Sequence, residues 1–276
     1  MEIHIDDDFD LDRIHRSGQC FRWQRLPDGT FRIPAGDRCL YIGSRGDGDY
    51  ILDCSEAEFD AFWKAYFDLD EDYAAIRARI DPDTDPFLAQ AAESGRGIRI
   101  LRQDPWETLV SFIISQNRNI PAIRRSVELL CAAAGQERRD SRGETYHAFP
   151  SPEKILRLGG RGLAECRLGY RDSYVLAAAQ AAVGGALSFG KMAALDDEAV
   201  IGELTKLYGV GVKVASCAAL FGLHRVNVFP VDTWMKKALK NEYPNGYPVE
   251  KYRPYNGVFQ QYIFFRYRRP DRREVF

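Results

Sequence analysis

Two glycines one residue apart, in the stretch Leu207-Tyr-Gly-Val-Gly-Val-Lys-Val-Ala-Ser-Cys217, restrict what this chain can form more than any other feature. Glycine enters backbone regions closed to other residues, so the pair suits a tight turn. The residues on either side predict helices. Before the turn, Asp196 to Tyr208 places Val200, Leu204 and Leu207 on one face behind an N-cap at Asp196 or Asp197. After it, Val212 to Gly222 predicts a second helix closed by a glycine. The product is a helix-hairpin-helix whose second helix begins with a lysine.

The position of that lysine has chemical consequences. Lys213 falls in the first turn, where the partial positive charge of the helix dipole disfavours an ammonium. Partial burial would lower its pKa further, which is how an amine becomes nucleophilic near neutrality. Cys217, four residues on, shares its helical face. Beyond the second helix comes Phe229-Pro-Val-Asp232, with Asp232 standing where the helix from Thr233 would start. By itself Asp232 reads as an N-cap; beside Lys213 it is also a candidate catalytic carboxylate. The Gly-x-x-x-x-Gly-Lys-Ser/Thr spacing of a P-loop is absent, which argues against nucleotide hydrolysis.

A chain of 276 residues can form one large or two modest domains. With 38 basic and 40 acidic side chains it has no global attraction for nucleic acid, so any such binding must rely on local patches. Candidates are Arg118, Arg124 and Arg125; Lys236, Lys237 and Lys240; and the segment from Arg266 to Arg273. The six cysteines are scattered without a Cys-x-x-Cys pair, so neither a zinc site nor an iron–sulfur cluster is expected. No secretory signal or membrane-spanning run is apparent, and a reducing interior compartment is the expectation.

Up to about residue 98 the pattern is mixed. Short apolar runs at 21–23, 31–33, 39–42 and 50–52, separated by turn residues, predict an antiparallel meander. Ser55-Glu-Ala-Glu58 predicts the capping box of a helix with an aromatic inner face, and a further helix is expected over 72–80. From residue 99 the pattern turns helical. Asp104-Pro-Trp-Glu107 predicts a helix start, with Trp106, Leu109, Val110, Ile113 and Asn117 on one face. Residues 120–135 predict another helix, 136–149 a polar loop, and 151 onward a third. Leu168-Gly-Tyr-Arg171 predicts a glycine at a helix end with Tyr170 and Arg171 exposed beyond it, and the last helix is expected over 256–267. The fold class is therefore α+β, with domains at 1–98 and 99–276.

The order Leu-x-Gly-Val-Gly-x-Lys-Val-Ala, followed by Pro-Val-Asp, resembles the helix-hairpin-helix DNA glycosylases with a Gly/Pro-rich loop and catalytic aspartate. Within them it is most similar to the 8-oxoguanine DNA glycosylase/lyase group, and the likeness covers nearly the whole chain. The resemblance implies a TBP-like N-terminal antiparallel sheet domain with helices, then an all-α glycosylase domain. It implies excision of 8-oxoguanine from duplex DNA with Lys213 as Schiff-base nucleophile and Asp232 beside it, then a nick by β-elimination. Gly18, in Ser17-Gly-Gln-Cys-Phe-Arg-Trp23, would offer its carbonyl to the damaged base. Such a fixed acceptor attracts the N7–H of 8-oxoguanine and repels the lone pair of guanine. Cys217, Gln260 and Phe264 would contact the flipped base. Asn117 would fill the vacated space, Tyr170 would wedge beside the lesion and Arg171 would meet the opposite base. Gly209, Gly211 and Val212 would hold the DNA backbone. No cofactor or metal is implied; the partner is 8-oxoguanine-containing double-stranded DNA, with no membrane, and the protein is expected to be an intracellular monomer located with DNA. Two departures stand out: Ala122 replaces an arginine of eukaryotic members, and Trp234 stands where many members carry histidine. Two other readings compete. An alkyl-base glycosylase would need Asp232 but not Lys213, and a damage-binding module would need neither.

Overall fold

The computed structural model describes residues 1–268; the part of the basic segment from 269 on lies outside them. Strand β1 (Glu2–His4) and helix α1 (Leu11–Arg16) precede β2 (Gln24–Arg25), β3 (Phe31–Ala35), β4 (Arg38–Gly46) and β5 (Asp49–Leu52). The strands form an antiparallel sheet in the order β1-β5-β4-β3-β2. Phe31, Ile33, Leu40 and Leu52 bury one face against Trp23, Trp63 and Phe67. A helical stretch supplies the last two of these: α2 (Glu56–Glu58) runs through a π-turn (Phe59–Trp63) into α3 (Lys64–Tyr66), with Phe67 as its C-cap.

The remaining elements are helical apart from one hairpin. They are α4 (Tyr73–Ala78), α5 (Pro86–Gly95), α6 (Pro105–Ser115), α7 (Ile120–Ala134), β6 (Glu137–Arg139), β7 (Thr145–His147), α8 (Pro152–Glu165), α9 (Arg171–Val183), α10 (Phe189–Met192), α11 (Asp197–Thr205), α12 (Val212–Phe221), α13 (Thr233–Glu242) and α14 (Asn256–Tyr267). Their starts follow from side-chain capping. Asp72, Asp85, Asp104, Asn119, Asp196 and Asp232 each accept from the backbone N–H three residues on. Helix α6 is buried on all sides from Thr108 to Ile114, the signature of a central helix, and packs against α7, α9 and α12. The helical core around it draws side chains from as early as Phe21, then Tyr73 and Leu88.

Four local expectations are corrected. The segment 21–23 is no strand: Phe21 enters the helical core, Trp23 enters the sheet-side core, and Arg22 Nε donates to Glu128 Oε1 at 2.8 Å. A segment serving two cores at once cannot keep a strand's alternation. The polar stretch 136–149 forms the β6–β7 hairpin, whose Asp140 carboxylate accepts from Arg32 (2.8 Å) and Tyr41 (2.8 Å) on the other face of the sheet. Asn117 lies past the end of α6 with φ of 52°, not on its apolar face. Helix α11 stops at Thr205, short of Tyr208.

Candidate active site

The turn between α11 and α12 is closed by Val210 N–H donating to the Leu207 carbonyl at 3.0 Å. Gly209 sits at φ of 80°, and a Cβ there would lie 2.1 Å from Cγ of Tyr174, so glycine is required twice over, by dihedral and by contact. Gly211 is the N-cap of α12 and brings no side-chain acceptor. The first-turn amides therefore face outward as donors, beside the exposed Val212.

Lys213 follows in that first turn. Its Nζ lies 5.1 Å from the centroid of Phe112 on α6, so the amine rests over the buried central helix. Phe112 is packed in turn against Phe21 (5.4 Å) and Phe221 (5.5 Å). One turn beyond Lys213, the Cys217 thiol is pushed above its ordinary pKa by burial, while the Lys213 charge and hydrogen bond pull it back and the Asp232 charge pushes it up. Amine and carboxylate thus act on the same buried sulfur.

Asp232 reaches that place as the N-cap of α13, its Oδ1 accepting from Met235 N–H at 2.8 Å. The loop before it is held by α14. Gln260 Nε2 donates to the Pro230 carbonyl at 3.1 Å, and Gln261 Nε2 donates to Gln260 Oε1 at 2.9 Å. One turn further along α14 is Phe264. A Cβ on Gly18, whose φ is 80°, would lie 3.5 Å from Phe264 Cε1, so the N-terminal loop touches that ring. Gln19 fixes the loop by donating to the Arg99 carbonyl (2.9 Å) and accepting from Leu101 N–H (2.9 Å). Lys213, Cys217, Asp232, Gln260, Phe264 and Gly18 are therefore linked in one neighbourhood at the junction of sheet layer and helices.

Asn117, Tyr170 and Arg171 form a second group. Tyr170 is the N-cap of α9, half exposed, and its hydroxyl accepts from Asn117 Nδ2 at 3.2 Å. Arg171 departs from expectation. It is buried, donating from Nε to the Gln116 carbonyl (2.8 Å) and from Nη1 to the Leu168 carbonyl (2.9 Å), with its guanidinium 4.3 Å from the Tyr170 ring centroid. The Gln116 carbonyl at the end of α6 and the Leu168 carbonyl just before α9 need donors, and a side chain folding onto both meets that need better than one reaching into solvent.

Sequence reasoning missed Phe112 beneath the lysine, the Gln261 support of Gln260, and Gln116 and Tyr174 around the hairpin. Only Tyr174 left a signal, being four residues from Tyr170. Of the expected basic patches, Arg118 and Arg124 direct donors inward, to Ser126 Oγ (2.7 Å) and the His15 ring (3.1 Å). Burial, and then the charge of Arg124, lowers His15 to a pKa of about 3, leaving a neutral ring able to accept. Lys236, Lys237 and Lys240 stay exposed on α13, Lys237 with Nζ 5.0 Å from the exposed Trp234 ring. Among the described residues there is no group of three or more potential metal ligands, and no helix long and apolar enough to cross a membrane.

Residues 2–109 match the family model for the N-terminal domain of 8-oxoguanine DNA glycosylase, and residues 110–246 match that of HhH-GPD superfamily base excision DNA repair proteins. An N-glycosylase/DNA lyase of Saccharomyces cerevisiae is 31% identical over 259 residues, spanning 84% of this chain and 68% of that protein. Among solved structures, MBOgg1 in complex with a low-affinity DNA ligand superimposes with a TM-score of 0.90 at 35% identity, covering 97% of this chain and 94% of that one. The 8-oxoguanine glycosylase/lyase of Clostridium acetobutylicum, bound to double-stranded DNA with cytosine opposite 8-oxoguanine, gives 0.87 at 34% identity, covering 96% and 97%.

Proposed function

The chain belongs to the HhH-GPD superfamily of base excision DNA repair proteins, in its 8-oxoguanine glycosylase branch, and from that premise we propose that it excises 8-oxoguanine from duplex DNA and then nicks the strand, with Lys213 as nucleophile. The observation that carries this reading is the Lys213 amine in the first turn of α12, 5.1 Å from the Phe112 ring centroid, with the buried Cys217 one turn on and the Asp232 carboxylate at the start of α13. An alkyl-base glycosylase or a damage-binding module has no use for that amine.

The outward amides of Gly211, Val212 and Lys213 take a backbone phosphate at the helix N-terminus. The lesion leaves the stack, at a cost of a few kcal/mol, and enters between Cys217 and the Phe264 ring. The Gly18 carbonyl accepts from its N7–H, and Gln260 offers its amide to the base edge. The Lys213 amine then attacks the anomeric carbon: an Nζ–C1′ bond forms, the C1′–N9 bond breaks, and the electron pair leaves with the base, which takes up the proton lost from Nζ. The Asp232 carboxylate stabilises the positive charge passing through the sugar. Ring opening gives an imine on Lys213. Loss of a C2′ proton then expels the 3′ phosphate and cuts the strand. Tyr170 and Asn117 occupy the gap in the duplex, and Arg171, still held at the Gln116 carbonyl, offers its remaining guanidinium N–H groups to the opposite base. With six free thiols, the chain suits the reducing interior where cellular DNA is held.

Borohydride trapping tests the reading. Reduction during turnover on an 8-oxoguanine duplex should yield a covalent protein–DNA adduct, and Lys213→Gln should abolish it while the duplex is still bound. Binding without an adduct in the unaltered chain would sink the lyase assignment.

A further inference from the structure

We propose that Gln116 and Tyr174 are positioning residues that lock the Tyr170 wedge to the lysine-bearing hairpin, so that entry of the wedge into DNA registers Lys213 with the sugar being exposed. The inference rests on the function proposed above and assigns a role to two side chains outside the base pocket.

The contacts form a closed ring. The Tyr174 ring lies edge-to-face with Tyr170 on one side (5.6 Å between centroids) and with Tyr208 of the hairpin on the other (5.0 Å). Gly209 presses directly onto it, since even a methyl group there would penetrate the ring at 2.1 Å. On the opposite flank, Gln116 Nε2 donates to the Gly209 carbonyl at 3.1 Å and to the Ile113 carbonyl at 3.2 Å. The Gln116 carbonyl accepts from two nitrogens of Arg171, whose guanidinium stacks against Tyr170. Tyr170 is thereby joined to Gly209 by two routes, one aromatic and one hydrogen-bonded.

The aromatic links are direct ring contacts, the Gln116 and Arg171 side chains on the other route are held by hydrogen bonds, and close-packed contacts pass displacement on rather than absorbing it. Lys213 lies four residues past Gly209, across a turn whose Val210 is buried and whose Gly211 caps the helix. A shift of about 1 Å in a reacting group can cost about a hundredfold in rate, so a hairpin loose against the wedge would present the amine out of register. Neither Gln116 nor Tyr174 is exposed. Gln116 has its amide committed to two carbonyls, and Tyr174 is covered by Gly209 and two rings. They act through their neighbours.

A double-mutant cycle tests the coupling. Single-turnover excision from a paired 8-oxoguanine duplex is measured for Tyr170→Ala, Tyr174→Ala, Gln116→Ala and the doubles with Tyr170→Ala. Affinity for a duplex holding a stable abasic-site analogue, which calls for no attack by Lys213, serves as the second readout. Tyr174→Ala and Gln116→Ala should each slow excision at least tenfold yet leave that affinity within threefold of the unaltered chain. Each double should fall within about twofold of Tyr170→Ala alone in excision, because the partner has nothing left to position. Tyr174→Phe, which keeps the ring, should restore excision. Losses that multiply in the doubles, or excision and duplex affinity falling together, would overturn the proposal. If Tyr174→Ala does not fold, the Gln116→Ala arm decides alone. Failure of the unaltered chain to excise 8-oxoguanine would instead overturn the function beneath it, and the coupling with it.

Discussion

Asp232 carries two duties that a single substitution can separate. Its Oδ1 caps α13 through Met235 N–H, and its charge acts on the Cys217–Lys213 pair. Asparagine caps a helix about as well as aspartate but brings no charge. Asp232→Asn should therefore keep stability within about 0.5 kcal/mol and keep duplex affinity, while single-turnover excision drops about 10²–10³-fold. Asp232→Ala should lose the cap as well, lowering stability by about 1 kcal/mol. Thermal melts beside single-turnover assays tell the two apart, and normal turnover in Asp232→Asn would reduce the residue to a cap. Gly209→Ala makes a steric test. The methyl would enter the Tyr174 ring at a φ of 80°, so the hairpin must move, at roughly 1–3 kcal/mol, and binding to undamaged duplex should weaken with it. At this scale the pairing of Lys213 with Cys217 was legible because spacing alone puts them on one face of a helix. Phe112 and Gln116 were not, since a residue on α6 or at its end carries no mark of what a distant segment will lay against it.

At the scale of elements, capping made the helices readable. Asp104, Asp196 and Asp232 announce α6, α11 and α13, and each accepts the expected backbone N–H. The β6–β7 hairpin was hidden because its strands, Glu-Arg-Arg and Thr-Tyr-His, carry almost no apolar alternation. Pairing there is supported by Asp140 meeting Arg32 of β3 and Tyr41 of β4, which no local pattern encodes. The start of α6 also holds a pH-sensitive group. Burial pushes Glu107 up to about 7, against the opposing pull of Arg22, whose Nη1 is 3.9 Å away. Between the ordinary carboxylate range and about 7, the folded chain holds a proton that the unfolded chain has released. That contribution to stability is full below the ordinary range and is lost as pH rises through about 7. Glu107→Gln removes the term. The melting temperature of Glu107→Gln, relative to the unaltered chain, should therefore climb between pH 5 and pH 8; a constant offset across that window would show that Glu107 is not desolvated as described.

The whole molecule depends on the sheet layer and the helices holding one geometry, because Gly18 comes from one and Phe264 from the other. The tie nearest that junction is Arg99. Its fully buried guanidinium donates to Asp7 Oδ2 (2.9 Å), the Asp8 carbonyl (2.8 Å) and the Asp68 carbonyl (2.9 Å), with the Tyr73 ring 4.3 Å from its centre. Asp68 adds Arg102 at 2.7 Å and, from the α12–α13 connection, His224 at 3.3 Å. The chain start, the turn after α3, the segment before α6 and the α12–α13 connection meet in one buried network. The same segment accepts Gln19, so the position of Gly18 is set within it. Removing one partner of a buried ionic network typically costs about 3–5 kcal/mol, because the other groups stay buried without compensation. Each kcal/mol lowers the melting temperature of a chain this size by roughly 2–4 °C. Arg99→Met should therefore melt about 10 °C below the unaltered chain. It should also weaken discrimination of 8-oxoguanine from guanine more than cleavage at an abasic site, since the Gly18 carbonyl is what loosens while Lys213 and Asp232 stay anchored to α12 and α13. Equal losses on both substrates would mean that the two layers do not depend on Arg99 for their alignment at the base pocket.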